Sequence, residues 1–302
     1  MPLKFDAQGW LIPGSDPNIK VDLNFKTGKT SGWATGTGGK PIGVVWHWTG
    51  GTSGNAAGTS TALWDWLLKE AVDPSRKASW HFSISRTGVI AQHAPLSAST
   101  WHAGCDPAKS KCQPTGQIFG YPKPPIPPFP VRNANTHFVG VELENGGIVL
   151  EQDKKFYVWP YAKGLTNCSG TSQCGEVTAL SNSSKFKFEK PYEVAPGRVV
   201  NVRGKLFDAY TQSQVKAATE LTRALKDSLG WWSPQQANYG HYQFIDSKLD
   251  PGLFWVENIL PKLQQDVFGS SASAVGAGSA YAALLALGTV GVGYYLWRRS
   301  RA

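Results

Sequence analysis

Residues 42–49 (IGVVWHWT) constrain this chain more than any other stretch. The run is apolar and rich in β-branched and aromatic residues, which predicts a strand buried in a core. Its one polar ring, His47, stands near the end of that strand. Further along, residues 61–72 (TALWDWLLKEAV) space their apolar side chains as a helix does. Residues 80–85 (WHFSIS) alternate, with Trp80, Phe82 and Ile84 on one face and His81, Ser83 and Ser85 on the other. The triplet 86–88 (RTG) reads as a turn into a second short strand, 89–92. Residues 139–144 (VGVELE) alternate again, Val139, Val141 and Leu143 toward a core and Glu142 and Glu144 opposite. The clearest helix is 211–229, where Thr211 and Gln214 form a capping box and Val215, Leu221 and Leu225 share a side. Strands alternating with helices predict an α/β domain over residues 1–267, a mixed central β-sheet flanked by helices.

The chain has 302 residues, 41% of them hydrophobic and 17% charged, a globular composition that excludes a disordered protein. A net charge of +9 favours anionic partners such as acidic lipid or cell-wall polymer. No Lys/Arg-rich run of the nucleic-acid-binding kind is present, so nucleic acid is not read as a partner. Two stretches read as insertions. One is 106–130, ending in YPKPPIPPFP and expected to be extended; the other is the polar stretch 153–197.

The C-terminal end differs from the rest. Residues 270–297 contain no charged side chain. At this end, 268–279 reads as a small-residue linker and 280–297 (AYAALLALGTVGVGYYLW) reaches the length of a membrane-spanning helix. Tyr294, Tyr295 and Trp297 stand where interfacial aromatics belong, and the tail 298–302 supplies Arg298, Arg299 and Arg301 as a basic flank. Gly278, Ala282 and Ala286 form a small-residue row that would let two such helices pack as a homodimer. The N-terminal residues lack the basic and apolar order of a secretory signal. The expected location is therefore a membrane, through a single C-terminal anchor. A virion's internal membrane or the host envelope would bring such a domain to a cell wall.

Four cysteines fall in two close pairs, Cys105/Cys112 and Cys168/Cys174, neither with C-x-x-C spacing. Two short disulfide loops are the expectation in an oxidising place and free thiols in a reducing one. Four cysteines permit three pairings, among which the sequence does not choose.

Chemistry points to the six histidines. A hydrolytic zinc site takes three protein ligands and keeps one position open for water, and a carboxylate often completes a histidine pair. His47 ends an apolar strand, His241 follows the best helix in YGHYQF, and Asp250 lies nine positions later in KLDPG. Asp246 is the rival third ligand but lacks the following Pro-Gly turn.

The segments VVWHWTGG, WHFSISRTGVIAQ, TWHAG, VGVELENGG and GHYQFIDSKLDPG occur in that order. Together they resemble the zinc-dependent N-acetylmuramoyl-L-alanine amidases, a family of phage amidase-type lysozymes, cell-wall recycling anhydro-amidases and peptidoglycan recognition proteins. The resemblance covers roughly residues 43–260, apart from the two insertions. It implies Zn2+ held by His47, His241 and Asp250. It implies Glu142 as the carboxylate that activates water and Lys248 as an aid to the oxyanion. Family members lacking the zinc ligands act only in recognition, and this chain keeps all three positions. His81 and His102 match family histidines that are not the usual ligands. With Trp101, Glu144 and Asn145 they are the expected substrate contacts. The implied activity is hydrolysis of the amide between N-acetylmuramic acid and L-alanine in peptidoglycan, by a phage lytic or virion-associated enzyme. Two other readings stand beside it: a non-catalytic peptidoglycan-binding module, and a membrane-embedded structural virion protein.

Overall fold

Apolar alternation in the sequence becomes a twisted sheet with helices laid against one face. The computed structural model describes residues 2–28, 40–49, 60–75, 78–103, 117–118, 121–122, 134–152, 154–158, 193–231, 239–241 and 250–269. In chain order the first elements are β1 (Val21–Asp22), β2 (Gly43–Trp48), α1 (Ser60–Val72), β3 (Phe82–Ile84) and β4 (Ile90–Gln92). The hairpin β5 (Gln117–Ile118) and β6 (Tyr121–Pro122) follows, then α2 (Ala134–His137), β7 (Phe138–Leu143), β8 (Ile148–Gln152) and β9 (Lys155–Val158). After these come β10 (Glu193–Val194), β11 (Val199–Val202), β12 (Lys205–Asp208), α3 (Gln212–Leu229) and β13 (Tyr239–Gly240). Last is α4 (Gly252–Phe254), which runs through a π-helical turn, Trp255–Ile259, into α5 (Leu260–Phe268).

The central sheet has the order β1-β4-β3-β7-β2-β13. β3, β7, β2 and β13 are parallel neighbours, while β3 and β4 pair antiparallel, so the sheet is mixed as expected. Its register separates two faces. Trp46 stands opposite Val141, which stands opposite Phe82, and these join Val44, Val139, Leu143 and Ile84 in one apolar cluster. Leu221 and Leu225 of α3 and Leu260 and Leu263 of α5 close that cluster. The Trp46 and Trp255 rings meet at 5.0 Å, both fully buried. Each such indole withdraws roughly 150–250 Å² from water, which makes this face the main source of stability.

The alternation expected over residues 80–85 holds only inside the strand. Phe82 and Ile84 join the main cluster, but Trp80 precedes β3 and packs with Leu67 and Ala71 of α1. The capping box is half formed. The Thr211 side chain accepts from the Gln214 N–H at 3.1 Å. The Gln214 amide, instead of returning to Thr211, donates to the carbonyls of Ile84 and Glu144 and fastens α3 to the sheet.

A second, antiparallel sheet, β10-β9-β8-β12-β11, has its own small core of Val149, Val194, Phe156, Val199 and Leu206. β9 and β10 lie near the two ends of the stretch read as the 153–197 insertion. Cys105, Cys112, Cys168 and Cys174 all lie outside the described residues, and with them both expected disulfide loops, Cys105–Cys112 and Cys168–Cys174. Lys248, Asp246 and the 270–302 segment lie outside them as well. Among the described residues no helix is long and apolar enough to cross a membrane.

Candidate metal centre

Three parallel strands deliver the site. β2, β7 and β13 run in one direction, so their carboxyl ends open on a single edge of the sheet, where α/β folds gather ligands. Alternation turns His47 away from the helix-covered face that Trp46 occupies. His47 is in register with Glu142, and Glu142 with Ser83, so all three project from the same face. Gly240 is in register with Trp46, which brings His241, the next residue, level with His47. Asp250 enters just before α4. The Tyr210 hydroxyl donates to the Pro251 carbonyl at 2.8 Å and holds that entry in place.

The three side chains converge although His47 and Asp250 are 203 positions apart in the chain. His47 Nδ1 lies 3.0 Å from His241 Nδ1 and 2.8 Å from Asp250 Oδ2, and His241 Nδ1 lies 2.9 Å from the same oxygen. All three residues are buried. Their hydrogen-bond partners assign the tautomers. His241 Nε2 faces the Ala103 carbonyl at 3.2 Å, so it donates there and Nδ1 keeps its lone pair. His47 Nε2 faces His102 Nδ1 at 3.1 Å, and His102 Nε2 faces the Phe138 carbonyl at 3.1 Å. A carbonyl only accepts, so neutral His102 donates from Nε2 and accepts from His47 at Nδ1. His47 Nδ1 therefore also points a lone pair inward.

The result is a buried triangle of three acceptors, two nitrogens and a carboxylate oxygen. Acceptors this close repel unless a cation sits among them. The set suits zinc, which takes imidazole and carboxylate ligands and leaves a corner for solvent in hydrolytic sites. Among the described residues this is the one group of three or more such side chains that could hold a metal ion. Asp250 Oδ1 is buried without a protein partner and offers a further acceptor. Burial alone would favour the protonated Asp250; with no cation in the triangle, protons on the His241 and His47 imidazoles supply the charge and hydrogen bonds that outweigh it and hold the carboxyl well below the usual carboxylate range.

Surrounding histidines are kept neutral. Burial, reinforced by His47, His81 and His241, pushes His102 well below its ordinary value of 6.5. Burial also lowers His81 to about 4, against the opposing hydrogen bond from its Nε2 to the Ala98 carbonyl. His81 Nδ1 accepts the Gly140 N–H at 3.1 Å. Gly140 is required here: a Cβ on it would lie 2.5 Å from His102 Cγ, so the imidazole rests directly on the β7 backbone.

The remaining sequence-derived candidates separate by exposure. Glu142 is half-buried at the end of β7. Trp101 is 38% exposed, whereas His81, His102, Glu144 and Asn145 are buried. β7 ends at Leu143, so strand alternation no longer directs Glu144, whose Oε2 accepts the Arg86 N–H at 2.8 Å. Burial raises the Glu144 carboxyl to about 7, against the Arg86 amide and the Arg86 guanidinium. Asn145 donates to the Asp208 carbonyl and accepts from Gly147.

Sequence reasoning missed Asp208. This carboxylate, 1% exposed, takes Arg86 at 3.1 Å, Arg198 at 2.9 Å and the Gly146 N–H at 3.0 Å. It ties the loop after β7 to the second sheet. Nothing in the surrounding LFDAY marks it, because its partners come from distant segments.

A family model described as N-acetylmuramoyl-L-alanine amidase matches residues 37–253, a span that contains β2, β7, β13 and all three converging side chains. No curated protein sequence matches the chain. Several solved structures are similar to it. A selenomethionine derivative of AmpD is 16% identical, covering 86% of this chain and 98% of that one, with a TM-score of 0.43. AmiD from E. coli, solved with anhydro-N-acetylmuramic acid-L-Ala-D-gamma-Glu-L-Lys, is 14% identical over 89% of this chain and 67% of that one, TM-score 0.40. A mutant endolysin from Bacillus subtilis is 14% identical over 82% and 99%, TM-score 0.41. Because the family match takes in well over half of the sequence and every residue of the acceptor triangle, the chain belongs to the N-acetylmuramoyl-L-alanine amidase family.

Proposed function

We propose that this protein is a zinc-dependent hydrolase that cuts the amide between N-acetylmuramic acid and L-alanine in peptidoglycan. The observation that carries the reading is the buried acceptor triangle of His47, His241 and Asp250 at the carboxyl ends of parallel strands, within the span that matches the family. His47 Nδ1, His241 Nδ1 and Asp250 Oδ2 would hold the ion. Zinc, when bound, acidifies water and polarises a carbonyl.

The chain's own residues supply the rest. The Glu142 carboxylate, on the same sheet face as His47, takes the proton of the attacking water and passes it to the departing alanine nitrogen. Lys248, outside the described residues, carries the role of oxyanion partner by resemblance. Exposed Trp101, next to His102, offers an aromatic face to the substrate. His81, Glu144 and Asn145 are buried and make internal hydrogen bonds.

Segment 280–297 serves as a C-terminal membrane anchor in this reading, able to pair with a second copy through Gly278, Ala282 and Ala286, and the enzyme acts in phage-driven lysis or entry. Its composition supports this, and protease protection of the domain in intact membranes or particles tests it.

Activity is tested with the full-length protein in detergent, loaded with zinc and incubated with purified cell walls. Release of peptides with a new N-terminal alanine, stopped by a chelator and restored by zinc, is expected. Zinc-loaded protein that binds walls without releasing peptide would replace the enzyme with a binding module.

A further inference from the structure

We infer that the short segment His102–Ala103 is a positioning bracket that orients both histidines of the metal centre, with His102 setting the tautomer of His47; this rests on the zinc reading above. The two imidazoles come from strands at one sheet edge, yet the outward nitrogen of each is met by this one segment. His47 Nε2 meets the His102 side chain at 3.1 Å, and His241 Nε2 meets the Ala103 carbonyl at 3.2 Å. Both contacts absorb an N–H, so both Nδ1 lone pairs aim at the centre.

The bracket is itself held from two sides. Asn135 Oδ1 accepts the backbone N–H of His102 at 3.0 Å and of Ala103 at 2.7 Å. The His102 ring is set by its donation to the Phe138 carbonyl and by the bare backbone at Gly140. It stands edge-on to His47, with centroids 5.3 Å apart and planes at 85°. A ring so confined cannot turn over to offer Nε2 to His47 without giving up the Phe138 carbonyl. The second partner of a ligating imidazole governs its orientation and basicity, and losing that partner typically weakens metal affinity about 10- to 100-fold.

The experiment compares zinc affinity, by chelator competition on the full-length protein, across the wild type, His102→Leu, His102→Asn and Asn135→Ala. The visible absorption of the cobalt(II) forms reports coordination geometry independently of activity. His102→Leu removes the acceptor and is expected to bind zinc about 10- to 100-fold more weakly, with an altered cobalt spectrum. His102→Asn places Oδ1 near the former Nδ1 and is expected to recover most of that loss. Asn135→Ala loosens the bracket without touching either ligand and is expected to weaken binding as well.

If His102→Leu does not fold, Asn135→Ala is read in its place. A folded variant of either kind with wild-type affinity and spectrum would overturn the inference while leaving the zinc reading intact. A wild-type protein that binds no zinc would remove the zinc reading itself.

Discussion

The Trp48 indole fills the space in front of the Gly252 Cα, so that any Cβ there would run into the ring. Trp48 follows His47 on β2, and Gly252 is two residues beyond Asp250. Gly252 also has a φ of +83°, which L side chains rarely adopt. Gly252→Ala is expected to destabilise the fold through both effects, about 1–2 kcal/mol from the backbone and about 1–3 kcal/mol from overpacking. It should also displace Asp250. Thermal unfolding and zinc titration of this variant check it. A variant with wild-type melting and affinity would show that the D-P-G turn does not depend on this packing.

Metal removal should be visible as lost stability. A ligand that binds only the folded state adds about 2.7 kcal/mol when its free concentration is 100 times its Kd. Zinc is expected to raise the melting temperature in proportion to the logarithm of its concentration, and a chelator to reverse the rise. His47→Ala should abolish the response. A melting temperature indifferent to zinc would mean that protons alone hold the acceptor triangle together.

Glu142→Gln should separate catalysis from binding. The carboxamide keeps the size of the side chain but cannot take a proton, which removes about 10²- to 10⁴-fold from kcat in general-base sites. Zinc affinity is expected to stay near wild type, because Glu142 lies beside His47 in register and outside the ligand triangle. Unchanged turnover in this variant would transfer the proton-handling role to another group.

Glu144 predicts a pH dependence of stability. Burial raises its carboxyl in the folded protein to about 7, above the unfolded value near 4.5. For an acid shifted upward, folding favours the protonated form. The contribution is complete below the unfolded value and disappears as pH rises through about 7. The shift corresponds to an effect on the order of 3 kcal/mol. Glu144→Gln keeps an acceptor for the Arg86 N–H and has no charge to bury. Chemical denaturation between pH 5 and pH 8, a window of roughly a unit or more around the raised value, should therefore show a smaller decline in the variant than in the wild type. Parallel curves for the two proteins would place Glu144 in an ordinary carboxylate environment.

Much of the central sheet was legible because its signals are local. Period-two alternation marks which face of β7 carries Glu142 and which carries Val141, and a strand of that kind needs no knowledge of its neighbours. Alternation fails where strands stop: Trp80 lies before β3 and joins α1, and Glu144 lies after β7 and turns to Arg86. The Thr211 cap was readable for the same local reason, whereas the second bond of Gln214 was not, because the carbonyls of Ile84 and Glu144 reach it only through packing.

The amino-acid sequence by itself determined which groups are chemically able to bind a metal ion, and at the end of which strand or turn each stands. It also determined the apolar face that fastens the helices to the sheet. Only the tertiary structure decided that His47, His241 and Asp250 meet within 3.0 Å of one another, that Asp208 pairs with two arginines, and that His102 lies on Gly140. Those contacts depend on strand order and on the register of parallel neighbours. Both are set by interactions between segments far apart in the chain, which no local periodicity encodes.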